Sequence, residues 1–532
     1  MKKSTVGGLL AGLLVLVSTQ QLSAGAKQEA PRAKDTLVVS VGGGITSGDY
    51  EPWGWDYGFE GMSIFHTALL KINVNVETEP DLATGFTISD DGLVYTYTLR
   101  RDVKFSDGTS LTAEDVAFTY ETAKNAGGSV DLTMLKSIEV LDGDTVRFTL
   151  NKVFSPFIRT TALVGIIPKK GYGPGYSRNP VGTGPFKLKQ IDVSQQLIVE
   201  PNPYYYGIKS PFKQITFLNI DEQTALATAR SGQIDVVMVN PEYARETVRG
   251  MRLETIKTSD NRGFNLPVIP QTTNAAGQVV GSNVTSDPIV RRALNIGISR
   301  QEIINNALNG IGTPSWIRFE GLPWANEEPG LKDSQVDEAR RILQQAGWVD
   351  GDGDGIREKN GVRCEFRITG RADDLQRYNL AVALSENARK LGINIIAEST
   401  DWPQAQRSAR GIPTCIGTGS YSFYDVFTAF HSSLAGIDTV SLGNSPMYTN
   451  PAVDWYIDAM LGAKTEAEAF GFAKQAQYDG KGGPNVDLPY LWLVTIDHTY
   501  FVRDGLSLGV QRIHPHGHGM PVIQNLNEWK YQ

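Results

Sequence analysis

Residues 91–121, DGLVYTYTLRRDVKFSDGTSLTAEDVAFTYE, carry the reading on which the fold turns. Val94, Thr96 and Thr98 alternate with Tyr95, Tyr97 and Leu99, a period of two that predicts a half-buried strand. Asp91-Gly92 and Asp107-Gly108 punctuate it as turn dipeptides. Thr112 is then placed as a helix N-cap, with Asp115 three residues on as its acidic capping partner. The stretch around it, 84–116, therefore reads as short strands joined by tight turns and followed by a helix.

Upstream, DTLVVSVGG (35–43) is a β-branched run stopped by glycines, the mark of a strand. From Glu60 through Leu70 the spacing of Met62, Phe65 and Leu69 predicts an amphipathic helix. At the start of the chain Lys2 and Lys3 precede the apolar run VGGLLAGLLVLV and the small residues Ala24-Gly25-Ala26. This is the order of a cleavable secretory signal, too short to span a bilayer, and it places a mature chain near Lys27 outside the cytoplasm, in a bacterial periplasm. No cysteine near the cleavage point marks the chain for lipid attachment.

Downstream the pattern is mixed α/β. IEVLDGDTVRFTLNKV (138–153) predicts a hairpin turned at Asp142-Gly143-Asp144. Helices are predicted at 224–232, 287–298 and 336–347, the last stopped by Gly347. FRITG (366–370), LQRYNLAVALSENARKLG (375–392) and INIIAEST (393–400) read as strand, helix and strand, a βαβ unit. No repeat and no low-complexity linker divides the chain.

The 532 residues carry a formal charge of −8, which argues against nucleic acid and anionic membrane surfaces as partners. Cys364 and Cys415 are the two cysteines; an oxidising compartment permits a disulfide between them, but sequence does not give their separation. There is no G-x-S-x-G elbow, no H-E-x-x-H and no P-loop, so an enzyme is not expected.

Six stretches, in order along the chain, then carry a resemblance: 91–121, NPVGTGPFKL (179–188), VEPNPYYYG (199–207), ARSGQIDVV (229–237), VRRALNIGISRQEIINNALNGIGTP (290–314) and EARRILQQAGWVDGDGDGIREKNG (338–361). Together they resemble the solute-binding proteins of bacterial peptide and nickel ABC importers, the family 5 extracellular solute-binding proteins. The resemblance implies an α/β fold of the periplasmic-binding-protein type II, two lobes on a hinge with an extra subdomain on lobe I. On that template lobe I takes residues 35–265, with the subdomain at about 84–180, lobe II takes 266–494, and 495–532 return to lobe I. It further implies a small-molecule solute closed between the lobes, an inner-membrane ABC permease as partner, and a monomer. Nickel, carried as a chelate, is the first expectation for the solute. An oligopeptide or dipeptide is the alternative, and a periplasmic receptor or chaperone on the same fold the second.

Cleft residues are sought among aromatics and histidines that a core does not require. Trp53, Trp55 and Tyr57 follow the first strand in a Gly-rich loop. Trp402 stands at the end of the second strand of the βαβ unit, where α/β folds gather ligands. Tyr421, Tyr424 and Asp425 lie in GTGSYSFYDVFTAFH, which ends at His431; the resemblance implies that aromatics of this region line the pocket. Asp425 is also the acid that could meet the amino terminus of a peptide.

Near the C-terminus, His514, His516 and His518 alternate with Pro515 and Gly517 in a chain of only six histidines. Residues two apart on an extended segment share a side, and imidazoles suit nickel, copper and zinc, so the three are candidate metal ligands; Pro515 and Gly517 equally suit an irregular loop. His498 is a further candidate. Finally, Asp350, Asp352 and Asp354 with Gly355 imitate the start of an EF-hand loop, but Gly361 stands where the bidentate glutamate belongs. A polar loop is the plainer reading and a weak structural calcium the other; no tightly bound cofactor is expected.

Overall fold

A computed structural model describes residues 34–42, 44–54, 64–330, 332–437, 442–517 and 520–532. The signal segment, Trp55, Tyr57 and His518 lie outside the described residues. Residues from Asp35 to Gln532 form one compact unit.

Two sheets organise that unit. The first has seven strands in the order Met251–Ile256, His498–Arg503, Val236–Val239, Thr36–Ser40, Gln214–Leu218, Gln196–Pro201 and Phe186–Asp192. Thr36–Ser40 pairs in parallel with both neighbours, and His498–Arg503, arriving from the far end of the chain, runs antiparallel between its own two. Leu37, Val39, Phe217, Val236 and Val502 bury one face of this sheet, as parallel-type strands covered by other elements require.

The second sheet has the order Thr313–Pro314, Tyr490–Thr495, Asn261–Asn265 and Cys415–Thr418. The chain leaves the first sheet after Ile256 and joins the second at Asn261, and it returns between Thr495 and His498. Helices Pro288–Gly297, Arg300–Leu308, Val336–Gln345 and Leu375–Arg389 share an apolar core with Phe264, Leu491 and Leu493 of the second sheet. The opposite face, with Tyr490 and Trp492, joins a cluster that also holds Trp53, Phe154 and Phe157. This fold is the two-lobed periplasmic-binding-protein type II architecture, and that mixed cluster is where the lobes meet.

A four-stranded antiparallel sheet stands beside the first lobe: Ala83–Ile88, Val94–Leu99, Thr145–Leu150 and Leu135–Asp142. The expected strand at 94–99, the hairpin through Gly143 and the helix Ala113–Ala126 are all present, and Thr112 N donates to the Asp115 carboxylate at 2.8 Å. The βαβ unit is present as Glu365–Arg371, Leu375–Arg389 and Asn394–Thr400, its strands parallel.

One element departs from the sequence reading. The helix expected from Glu60 through Leu70 is not found in its described part: Ile64–Leu69 is irregular and Leu70–Ile72 is a strand. The apolar spacing misleads because the residues serve two different cores, Phe65 packing with Tyr50 and Leu69 with the subdomain. The backbone here is tied instead to the GTGPF turn, Gly184 N donating to Phe65 O and Phe186 N to Ile64 O. Cys364 and Cys415 are both buried free thiols, and burial pushes each up to about 12.

Candidate functional site

Three stretches run side by side where the sheets join: 257–260, 496–498 and 512–516. Thr258 forms a parallel bridge with His514. His514 N donates to Lys257 O at 2.9 Å, Ser259 N to His514 O at 2.8 Å, and Ile496 N to Asp260 O at 2.9 Å. His514 is thus part of the hinge. Its next residue but one reaches the second lobe, His516 N donating to Gly419 O at 2.7 Å.

The side chains continue the network as a chain rather than a cage. His514 lies fully buried with Nδ1 3.1 Å from His498 Nδ1 and Nε2 3.0 Å from Gln511 Oε1. His498 Nε2 stands 3.6 Å from Asp260 Oδ2, whose other oxygen receives His516 Nδ1 at 2.7 Å and Arg262 Nη1. Burial, with His498 and Arg512 nearby, holds His514 well below the ordinary imidazole range. Burial also lowers His516, against the pull of Asp260. Burial alone would raise Asp260, but Arg262 and the two histidines hold it well below the carboxylate range. The two described histidines of the tract therefore do not share a free face: one turns into the hinge, the other onto a carboxylate.

Beside this chain a cavity of about 370 Å³ opens between the lobes, walled by Asn240 and Thr499 of the first and by Arg262, Arg371, Asp374 and Gln376 of the second. It lies off the carboxyl ends of the strands Val236–Val239 and Glu365–Arg371, the place where α/β sheets take ligands. Four of the acids that line it are matched, Asp373 to Arg371 at 2.6 Å, Asp374 to Arg377 at 2.9 Å, Asp497 to Lys257 at 2.8 Å, and Asp260 to Arg262, while Glu242, a fifth, is held above its ordinary carboxyl range by burial.

Trp402 begins the helix Trp402–Ser408 next to this wall, with the guanidiniums of Arg371 and Arg377 5.0 and 5.5 Å from its ring. Tyr421 is buried, donating from its hydroxyl to Ile513 O at 2.5 Å and receiving Arg159 Nη1 on its carbonyl at 2.8 Å. Tyr424 packs edge-on against Phe154 of the first lobe and stacks on Phe427. Asp425 faces Arg318 at 3.8 Å. Trp53 is buried, and its carbonyl accepts from Ser129 N at 3.0 Å. His431 stands apart, with Nδ1 2.7 Å from Ser433 Oγ and Nε2 3.5 Å from Asp458. The structure thus brings Tyr421 to the histidine tract and Trp402 to the cavity wall, and leaves Trp53 and His431 in other neighbourhoods.

Among the described residues, the group of acids and histidines that converges closely enough for one ion is Asp350, Asp352, Asp354 and Glu358, with ligand atoms within 4.8 Å of one another. These carboxylates also accept loop amides, Asp350 from Gly353 and Gly355, and Arg363 pairs with Asp354 at 2.5 Å.

Sequence reasoning missed Asp260, Arg262, Arg371 and Arg377. Arginines and acids two to six residues apart read as surface charge; what marks Asp260, Arg262 and Arg377 is burial, and what marks Arg371 is its half-buried place on the cavity wall, neither of which local spacing announces.

A hinged pair of α/β lobes with a polar cavity at their junction defines a solute-binding protein. The profile described as bacterial extracellular solute-binding proteins, family 5 middle, matches residues 77–437, and the chain belongs to that family. It is 31% identical over 469 residues to Protein XP55 of Streptomyces lividans, covering 84% of this chain and 82% of that one. Among solved structures, it is similar to NikZ of Campylobacter jejuni in complex with Ni(L-His), with a TM-score of 0.74, 24% identity and 93% and 99% of the two chains covered. It is also similar to the oligopeptide-binding protein AppA of Bacillus subtilis in complex with a nonapeptide, with a TM-score of 0.68, 22% identity and the same coverage. The protein is the solute-binding component of an ABC importer of the peptide and nickel type.

Proposed function

We propose that the solute is a small carboxylate-bearing molecule, in first place nickel held by an organic chelator, captured in the periplasm and delivered to an inner-membrane permease. One observation carries this: the hinge imidazoles bond to one another and to Asp260 instead of converging on a point. A naked divalent ion needs a convergent donor set; a chelate brings most of its own. His514 uses both ring nitrogens within the hinge, so a protein ligand from the tract comes from His516 or His518. The cavity, about 370 Å³, sits at the small end of the roughly 300–1,000 Å³ range of ligand sites, which suits a compact chelate better than a long peptide. A short peptide is the second reading, supported by the likeness to the oligopeptide-binding structure. Non-denaturing mass spectrometry of the protein as purified tests the proposal: a bound mass equal to nickel plus an organic acid supports it, and a peptide mass transfers the function to the second reading. In the same proposal the Asp350–Glu358 loop holds calcium weakly, as a structural ion and not as cargo.

A further inference from the structure

A second cavity, of about 440 Å³, lies within the first lobe, between the edge of the subdomain, the end of helix Phe157–Leu163 and the C-terminal segment. It shares no lining residue with the inter-lobe cavity, and no residue of the second lobe lines it. Ile64, Leu70, Leu163 and Ile523 give it an apolar wall, and Asp81 and Gln524 are among its polar groups. An apolar space of this size with a few polar groups set into it is the usual make-up of a small-molecule site.

Asp81 is short of a cation. It accepts from the Tyr206 hydroxyl at 2.6 Å and forms no ion pair among the described residues. The two basic groups that act on it are spent elsewhere, Lys71 on Glu79 at 3.1 Å and Arg100 on Asp102 at 2.9 Å. Burial pushes its carboxyl above the ordinary range, as an under-compensated acid requires. Gln524 is short of an acceptor. Its Oε1 receives Arg512 Nε, while its Nε2 is buried without a partner among the described residues. Turning the amide over would set its NH₂ against the guanidinium, donor to donor, so the orphan stays an N–H. The other amides of this wall are satisfied: Gln511 Nε2 donates to Leu508 O and Asn525 Oδ1 at 2.6 and 2.7 Å, and Asn525 Nδ2 to Leu508 O at 2.9 Å. Buried polar atoms are nearly always satisfied, so the missing partners point to a group that arrives from outside.

We propose that this cavity is a second ligand site, which takes a small apolar molecule carrying a protonated amine and a neighbouring oxygen acceptor, the amine meeting Asp81 and the acceptor meeting Gln524. A charge-assisted hydrogen bond to the amine is worth about tenfold or more in affinity, and a neutral one to the acceptor about threefold to tenfold. The site is independent of the solute held between the lobes.

The test is calorimetry on the full mature chain with three probes: L-leucinamide, which carries both groups, N-acetyl-L-leucinamide, which lacks the charge, and isoamylamine, which lacks the acceptor. Wild type binds L-leucinamide about tenfold or more tighter than its acetylated form and about threefold or more tighter than isoamylamine. Asp81→Asn, whose amide oxygen still accepts from Tyr206, weakens L-leucinamide about tenfold. Gln524→Glu keeps an acceptor for Arg512 and replaces the orphan N–H by an oxygen. It erases the advantage of L-leucinamide over isoamylamine, while the amine itself still binds. Without ligand, Gln524→Glu melts no lower than wild type, a readout that stands even if Asp81→Asn folds poorly. Wild type that binds no L-leucinamide, a preference that either variant leaves unchanged, or a Gln524→Glu chain that melts well below wild type overturns the site. Each of these results leaves the proposed inter-lobe solute standing.

Discussion

Asp260 is the residue on which the hinge chemistry converges, receiving Arg262 and His516 while fully buried. Replacing it by alanine leaves a buried guanidinium uncompensated, at a cost of about 3–5 kcal/mol. Urea denaturation of Asp260→Ala checks this, and a loss below about 1 kcal/mol would mean the pair is solvent-relaxed. His514 makes a second prediction, in pH. Its folded-state affinity for protons is lowered, so the unfolded chain binds the proton more tightly. The stability that His514 contributes is therefore complete above the unfolded imidazole value of about 6.5 and is lost as pH falls below it, at up to about 1.4 kcal/mol per pH unit. Denaturation between pH 7 and pH 5 should show a slope that His514→Gln reduces. At this scale the sequence was legible in part. It singled out the histidine tract because three of six histidines stand together, but Asp260 and Arg262 lie more than 250 residues away along the chain and only the fold makes them neighbours.

Among elements, the GTGPF turn shows how backbone approach fixes a residue type. A Cβ on Gly182 would lie 2.1 Å from Phe65 O, and one on Gly184 2.5 Å from Phe65 C. Neither neighbour is a side chain that can swing away. Gly184→Ala should cost about 1–3 kcal/mol as overpacking does, read as a lower midpoint in thermal unfolding of the unliganded chain. The Asp350–Glu358 loop gives a contrasting prediction. Calcium should raise the melting temperature only at concentrations near about 10⁻⁴–10⁻³ M, and Asp352→Asn should abolish the effect; an unchanged melting temperature across that range removes the ion from the account. Elements with one uniform period were readable: the strand at 94–99 and the βαβ unit of residues 365–400 stand where alternation and turn chemistry put them. The stretch from Ile64 to Leu70 was not, because its apolar residues divide between two cores and imitate a helical stripe that no single helix presents.

For the whole molecule the order of segments told more than any motif. Six stretches in family order implied two lobes, and the two sheets exchange the chain between Ile256 and Asn261 and again between Thr495 and His498. The cargo was less legible, because no local spacing shows which side chains the two lobes bring together. Arg159 holds that meeting. From helix Phe157–Leu163 it donates to Tyr421 O at 2.8 Å, pairs with Glu466 at 2.9 Å and lies over Trp324 and Phe470. Arg159→Met should shift the unliganded chain toward an open form, seen as a larger radius of gyration in X-ray scattering, and an unchanged radius would mean that apolar packing alone closes the lobes. The central claim, that the lobes close on a metal clothed in a carboxylate chelator, is tested most directly by titrating the purified mature chain with nickel alone and with nickel plus excess L-histidine. The account predicts one site per chain for the chelate and at least tenfold weaker binding of nickel alone. Equal affinity for the bare ion would contradict it.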